Sequence, residues 1–470
     1  MKNVFVYGDF NILHPGHLRL LKFAKESGDY LIVGVNSDKN STKGIGQDIR
    51  LESIQATSYV DEAFVLDISP VEYIQKNKPD IVVKGKEHEN KENLELDIIS
   101  SYGGKLLFSS GEIGFSSMDL LRQEFLSLSN NLNHSSNYLK RHDLQFSNLK
   151  DIVFEFAKLK VLVIGDTIVD EYITCEPLGM SQEDPTIVVS PLATNKFIGG
   201  AAIVASHAKT LGADVKFISV VGDDENKEYV QNALEDLNIN TSLFCDNTRP
   251  TTLKQRFRAS NKTLLRVNHL KQHSISKDIE NEILKNIKNC IDDVDLILFS
   301  DFSYGLLTNK IIKSISKIGE EKKVFMAADS QSSSQIGDIS KFKNMTLVTP
   351  TEREIRLSLN DFESGLVVLS ENLSKKTNAK YIFTTLGAEG IMIYNNPKDK
   401  LLTDNINALA TTVKDVSGAG DSLLTCSSMA LAVGASIWQS AYLGSIAAAI
   451  QVSRVGNIPI KKEEILDELS

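Results

Sequence analysis

The strongest constraint in this sequence is its rhythm. Short apolar runs of strand length alternate with segments whose apolar residues recur at helical spacing, and the pattern runs twice, on either side of a polar Asn/Ser-rich stretch. Such alternation specifies strand-helix-strand units and parallel sheets flanked by helices. Residues 3–8 (NVFVYG) predict a buried strand; from Pro15 to Ser27 the apolar Leu18, Leu21 and Ala24 mark one helix face, which Gly28 closes. YLIVGVNS predicts the next strand, and VDEAFVL and PDIVVKG continue the series to about Leu126. SLSNNLNHSSNYLKRHD then breaks it, and KVLVIG (160–165) restarts it, with later strands near KFISVVG, LILFSD, VFMAAD, TLVTP and YIFTTLG. We expect an α/β chain of two domains, 1–127 and 151–470, joined by a linker over 128–150, with ligands at the C-terminal ends of the strands.

Composition narrows the function classes. With 470 residues and 42% hydrophobic content the chain can bury two cores. A net charge of −10 with both signs interspersed argues against a nucleic-acid partner and against a polybasic membrane anchor. Cys175, Cys245, Cys290 and Cys426 lie far apart with no zinc-ligand spacing, which predicts reduced thiols in a cytoplasmic protein. The start, MKNVFVYGDF, runs straight into a strand pattern, so no signal peptide is expected, and no apolar run is long enough to predict a membrane span.

The segment GDFNILHPGHLRLL places His14 and His17 where the first strand meets the first helix. Backbone amides and the helix dipole favour an anion there, and Pro15 suits the first turn because its missing N–H costs nothing. Two imidazoles three residues apart share a helix face and can donate to a phosphate that gains charge in a transition state. A metal pair is the rival reading, although nothing at a suitable spacing completes it; two ordinary polar residues at a helix start are the plain one. GDFNILHPGH resembles the GxFDxxHxGH signature of the cytidylyltransferase-like nucleotidyltransferases, and further similarity extends to GFSSMDLLR at 114–122. The resemblance implies a Rossmann-like domain in which Gly8 and Phe10 adjoin the nucleotide, Lys43 and Arg50 neutralise triphosphate charge, and Ser116 and Ser117 hold phosphates. Read alone, Lys43 is equally a solvated loop lysine. Asn11, Lys86-Glu87 and Ser117 stand where this family usually has Asp, Gly-Asp and Thr. The substrate's own phosphate would attack the α-phosphorus, with Mg2+ as the triphosphate's counter-ion.

DVSGAGDSLLTCSSMALAVG reads as a glycine loop opening an apolar helix, with Asp421 in its first turn. Gly418 and Gly420 let successive N–H groups form an anion-binding nest, and a carboxylate beside such a nest suits phosphoryl transfer from ATP to a hydroxyl whose proton Asp421 accepts. The dipole alone would also favour an Asp there. DVSGAGD is similar to the DTxGAGD signature of the ribokinase-type (PfkB) sugar kinases, which implies a ribokinase-like α/β sandwich with a small β lid and adds Ala419 to the nucleotide-binding set. On the same resemblance, Asp166, Asp170, Gly199 and Gly200 lie near the sugar, with helix packing and surface capping as the plain alternatives.

The similarity is closer still to the kinase half of bifunctional heptose-phosphate kinase/adenylyltransferases, in which the two domains occur in the opposite order. It implies Lys254, Arg256 and Arg266 as substrate ligands, Thr385, Gly387 and Gly390 as the adenine-nucleotide loop, and Glu354 as an indirect metal ligand. Tyr304, Ser330-Gln331 and Thr351 stand where that subfamily has Lys, Pro-Lys and Asn, so the pocket lacks two positive charges that would favour an already phosphorylated sugar. The expectation is a bifunctional, cytoplasmic, homo-oligomeric enzyme that makes a nucleotide-activated, heptose-like sugar, with ATP for the kinase and ATP or CTP for the transferase. A kinase for another sugar or polyol fused to a cytidylyltransferase, and a kinase half reduced to a binding module, are the alternatives.

Overall fold

A computed structural model of the chain describes residues 2–11, 13, 15–39, 45–85, 93, 95–109, 132, 134–259, 262–331, 337–395 and 402–470. The chain divides into two units, Met1–Asn130 and Asn131–Ser470.

The first unit is a five-stranded parallel sheet. Its strands are β1 (Asn3–Gly8), β2 (Tyr30–Asn36), β3 (Glu62–Leu66), β4 (Ile81–Gly85) and β5 (Lys105–Ser109), in the order β3-β2-β1-β4-β5. This is the doubly wound arrangement whose switch point, between β1 and β4, opens a crevice at the strand C-termini. Strand periodicity builds both cores: Val4, Val6, Ile81 and Val83 pack on one face with Leu21 and Ala24 of the helix Pro15–Ser27, while Phe5 and Val82 pack on the other with Ile74 and Ile99. That helix has the bounds its apolar spacing predicts.

The second unit holds two sheets. The strands of the larger one are β6 (Lys160–Gly165), β9 (Asp214–Val221), β10 (Asn240–Cys245), β13 (Leu296–Asp301), β14 (Phe325–Ser330), β15 (Leu347–Val348), β16 (Tyr381–Thr385), β17 (Ile391–Asn395) and β18 (Leu402–Ile406). Their order is β10-β9-β6-β13-β14-β15-β16-β17-β18, parallel up to β16 and antiparallel beyond it. Val161, Val163, Leu296 and Leu298 enter one core, and Leu162, Ile164, Ile297 and Phe299 the other. The smaller sheet is built from β7 (Thr167–Met180), β8 (Ile187–Gly200), β11 (Thr252–Ala259) and β12 (Lys262–His269), in the order β12-β11-β7-β8. Sandwich and lid agree with the fold class that the sequence implies.

The expected linker needs correction. From residue 134 onward the polar stretch belongs to the second unit, where it forms the helices Ser136–Arg141 and Phe146–Glu155. Tyr138, Leu149 and Val153 are fully buried in its core. Tyr138 donates to the Trp438 carbonyl at 3.1 Å, Arg141 makes a two-pronged contact with Asp404 at 2.9 and 2.8 Å, and the His142 ring stacks on Trp438 at 4.1 Å. The few apolar residues that anchor these helices are diluted by Asn, Ser and Lys, so their periodicity is faint in the sequence.

Candidate functional site

In the second unit the lid and the glycine loop converge on one cluster. β7 brings Asp170 and Tyr172, and β11 pairs with it in parallel, setting Lys254 beside Asp170 and Arg256 beside Tyr172. The Arg256 guanidinium donates to Asp170 Oδ1 at 3.3 Å, to the Tyr172 hydroxyl at 3.0 Å, and to the Ser417 hydroxyl in the glycine loop. The Tyr172 hydroxyl in turn donates to Asp415 Oδ2 at 2.6 Å. Burial pushes the Asp415 carboxyl up, but bonds from Tyr172, Ser417 and Gly456 outweigh it and hold the group below the usual range.

Asp170 is buried, and burial raises its carboxyl against the pull of Arg256 and Lys254. Asn457, distant in sequence, donates to its Oδ2 at 2.9 Å. The paired glycines allow close approach on both sides: a Cβ on Gly199 would strike the Asp170 carboxylate, and one on Gly200, at φ +59°, the backbone carbonyl of Asp166. Asp166 itself turns inward. Its Oδ2 accepts the N–H groups of Phe302 and Tyr304 at 2.9 and 3.2 Å, and burial beside Asp301 pushes it up to about 6. Lys254 lies over the rings of Phe302 and Tyr304, 4.9 and 5.5 Å from their centroids. Arg266 faces Arg256 across the ladder, exposed on the lid.

Asp421 sits in the first turn of the helix Ala419–Ala432, behind Gly418 at φ +77°. A Cβ on Gly418 would strike Asn457 at 2.6 Å, whereas the space beside Gly420 is open, as a phosphate-accepting turn requires. Asp421 is 4% exposed; burial and the charge of Asp170 push it up to about 7, with Lys254 pulling the other way. Asp329, at the end of β14, is held well above the carboxylate range by burial and by Glu354 and Asp421. Glu354 closes a capping box with Thr351: its Oε2 accepts the Thr351 N–H at 2.8 Å, and the Thr351 hydroxyl accepts the Glu354 N–H at 3.2 Å. Thr in place of Asn at 351 therefore still caps this helix. Among the described residues, no group of three or more His, Cys, Asp or Glu forms a metal cage.

Beyond the helix start, Thr385 and Gly387 border a cleft of about 440 Å³, together with Thr351, Arg353, Arg356 and Phe362. Gly387 lies at φ +61° with open space beside it, and Gly390 at φ +93° packs against the Ile406 carbonyl. Sequence reasoning singled out Thr385, Gly387 and Gly390 but missed Arg353, Phe362, Tyr172 and Asn457. Tyr172 and Arg353 lie two residues from Asp170 and Thr351 and were open to local reading, whereas no motif or spacing marks Phe362 and Asn457, which only chain packing brings to the site.

In the first unit, His14, Lys43, Ser116 and Ser117 lie outside the described residues. His17 is half-buried on the first helix, with its ring edge-on to Phe10 at 5.1 Å. Phe10 takes φ +48° and lays its ring over Gly8, where a Cβ would come within 3.3 Å. Arg50 lies inside the unit. It is 1% exposed and committed to the Ile45 carbonyl at 2.8 Å, the Asp9 carbonyl at 2.7 Å and Asp38 Oδ1 at 2.7 Å. Its guanidinium ties together the segments that follow β1 and β2, so it shapes the crevice rim from within. At the ends of β1 and β4, Tyr7 donates to Glu95, and Lys84 bonds Glu95 at 3.2 Å and Asn93 at 2.9 Å.

A twisted sheet with a β lid over a glycine-opened helix defines the ribokinase-like class of sugar kinase folds. Residues 158–463 match the family model "pfkB family carbohydrate kinase", and residues 5–102 match "Cytidylyltransferase-like". The chain belongs to the pfkB carbohydrate kinase family. Phosphofructokinase-2 from Escherichia coli superimposes with a TM-score of 0.54 at 15% identity, over 66% of this chain and 98% of that one. Ribokinase from Thermotoga maritima gives 0.51 at 18%, over 65% and 98%. Among curated proteins, the "Bifunctional protein HldE" of Campylobacter jejuni subsp. doylei is 32% identical over 66% of this chain and 64% of its own length. That of Desulfatibacillum aliphaticivorans is 30% identical over 67% and 64%. The chain thus spans a little under two thirds of the relatives it matches.

Proposed function

We propose that the chain is a bifunctional enzyme of nucleotide-sugar synthesis. Its second unit phosphorylates a heptose-phosphate-like sugar from ATP, and its first unit transfers a nucleotide to a sugar 1-phosphate, giving an ADP-sugar. The observation that carries the kinase reading is Asp421, a buried carboxylate with raised basicity at a glycine-opened helix start, facing a lid that supplies Lys254 and Arg256. Asp421 takes the acceptor hydroxyl's proton while the turn at 418–420 binds the phosphoryl oxygens. The acceptor lies among Asp170, Lys254, Arg256 and Asn457, and ATP lies toward Thr385 and Gly387. For the transferase, the HPGH spacing of His14 and His17 in the sequence, the match to the cytidylyltransferase-like model and the bifunctional relatives support the reading.

Magnesium fits the second unit. Asp329 keeps a buried Oδ1 with no hydrogen-bond partner among the described residues, beside Glu354. A hydrated Mg2+ held by one or both of these groups and by ATP would neutralise charge on the phosphates. Among the described residues no helix is long and apolar enough to cross a membrane, and free cysteines suit a reducing cytoplasm.

The test is product analysis with Mg2+, ATP or CTP, and a panel of sugars, sugar phosphates and polyol phosphates. Heptose 7-phosphate converted to a bisphosphate, with ADP-heptose formed from heptose 1-phosphate, supports the whole reading. Turnover of another acceptor removes the heptose assignment, and nucleotidyl transfer alone overturns the kinase.

A further inference from the structure

Gln331 directly follows β14. Its backbone N–H donates to the Asp301 carbonyl at 2.9 Å, which fixes the residue at the C-terminal edge of the sheet. Its side-chain Nε2 donates to Asp421 Oδ1 at 3.2 Å, and among the described residues it is the one side chain hydrogen-bonded to that carboxylate. The same amide favours the ionised form of Asp329, two residues earlier. The charged groups facing Asp421 come from three strands: Asp170 on β7, Lys254 on β11 and Asp329 on β14. Burial and the charge of Asp170 keep the Asp421 proton tightly bound while Lys254 pulls the other way, and Asp421 in turn raises Asp329.

A donor at position 331 has two separable effects. It orients one oxygen of Asp421, and if it is cationic it also lowers the basicity of that group. An amide does the first without adding a charge. We infer that Gln331 is a positioning residue for phosphoryl transfer: its carboxamide holds one oxygen of Asp421, so that the other meets the acceptor hydroxyl, and it adds no positive charge beside the base. The inference rests on the reading of Asp421 as the kinase base.

The test reads Asp421 directly in the full chain. Carboxyl-13C aspartate is incorporated, and the Asp421 resonance is identified by its loss in D421N. Replacing the donor with a cation, Q331K, should move the midpoint of that resonance down by about one unit or more. Removing the donor, Q331L, should move it up by about half a unit. With ATP and heptose 7-phosphate, Q331L should lower kcat about ten- to a hundredfold while KM for ATP stays within about twofold. Folding of each variant is checked by its thermal midpoint. An Asp421 midpoint within about a tenth of a unit of the parent in both variants overturns the role of Gln331. Phosphorylation that survives in D421N overturns the reading of Asp421 as base, whereas its loss in D421N with unchanged turnover in Q331L removes only Gln331.

Discussion

Asp421 meets two opposing demands, since the burial that makes it a stronger base also makes its charge costly to the fold. With a value near 7, its proton is largely held below that pH, so phosphorylation should lose rate tenfold per unit on the acid side of about 7. A kcat/KM profile still flat at pH 5.5 would contradict this. The stability consequence has the opposite sign from that of a salt-bridged carboxylate. A folded-state value raised above the unfolded one means the folded chain binds the proton more tightly. The penalty is therefore full above pH 7, shrinks as pH falls, and is gone below about 4. D421N should raise Tm by about 2–5 °C at pH 8 and by progressively less toward pH 4, followed by calorimetry. Arg50 belongs to the same scale. Replacing it with Met removes its bonds to the Asp9 and Ile45 carbonyls and to Asp38 and should cost the first unit about 2–4 kcal/mol in denaturant unfolding of the full chain. R50K should recover little, because a single ammonium cannot span three acceptors.

Among the elements, the helices at 136–155 carry more stability than their composition suggests. Tyr138 is fully buried, bonded to Trp438 and stacked on Tyr442 with ring centroids 6.0 Å apart. Y138A should destabilise the second unit by about 3–5 kcal/mol. A chain begun at 151, where the sequence pattern restarts, should express as insoluble or low-melting protein, while one begun at 131 should fold; thermal melts of the two chains decide it. The lid gives the second lesson of this scale. β7 and β11 run parallel, and their register sets Lys254 beside Asp170, so the acceptor pocket depends on pairing between strands far apart in the chain.

For the whole molecule, the unusual feature is where apolar surface remains. Leu178, Met180, Ile187, Val188 and Leu192 are all exposed on the outer half of the β7–β8 hairpin. Apolar surface of this kind is covered in many proteins by association, which supports the expectation of a homo-oligomer. Sedimentation should give a mass above the 51.9 kDa chain at micromolar concentration, and L178K combined with L192K should return it to one chain. A parent protein that sediments as one chain removes that expectation. The two activities should also separate: D421N abolishes phosphorylation while sparing nucleotidyl transfer, and loss of both in a folded variant would show that the sites are not independent.

Local rules were enough to read much of this from the sequence. Apolar runs marked β1, β6, β13 and β14, helical spacing set Pro15–Ser27, and the string DVSGAGD located the glycine turn, because each depends only on neighbours along the chain. The rest was decided in three dimensions. Asn457 reaches Asp170, Gln331 reaches Asp421, Arg50 disappears into carbonyl contacts, and the Asn/Ser-rich stretch folds onto a distant helix. None of these leaves a periodic trace, since hydrogen bonds and ring contacts between remote segments depend on how elements pack and not on the spacing of residues within them.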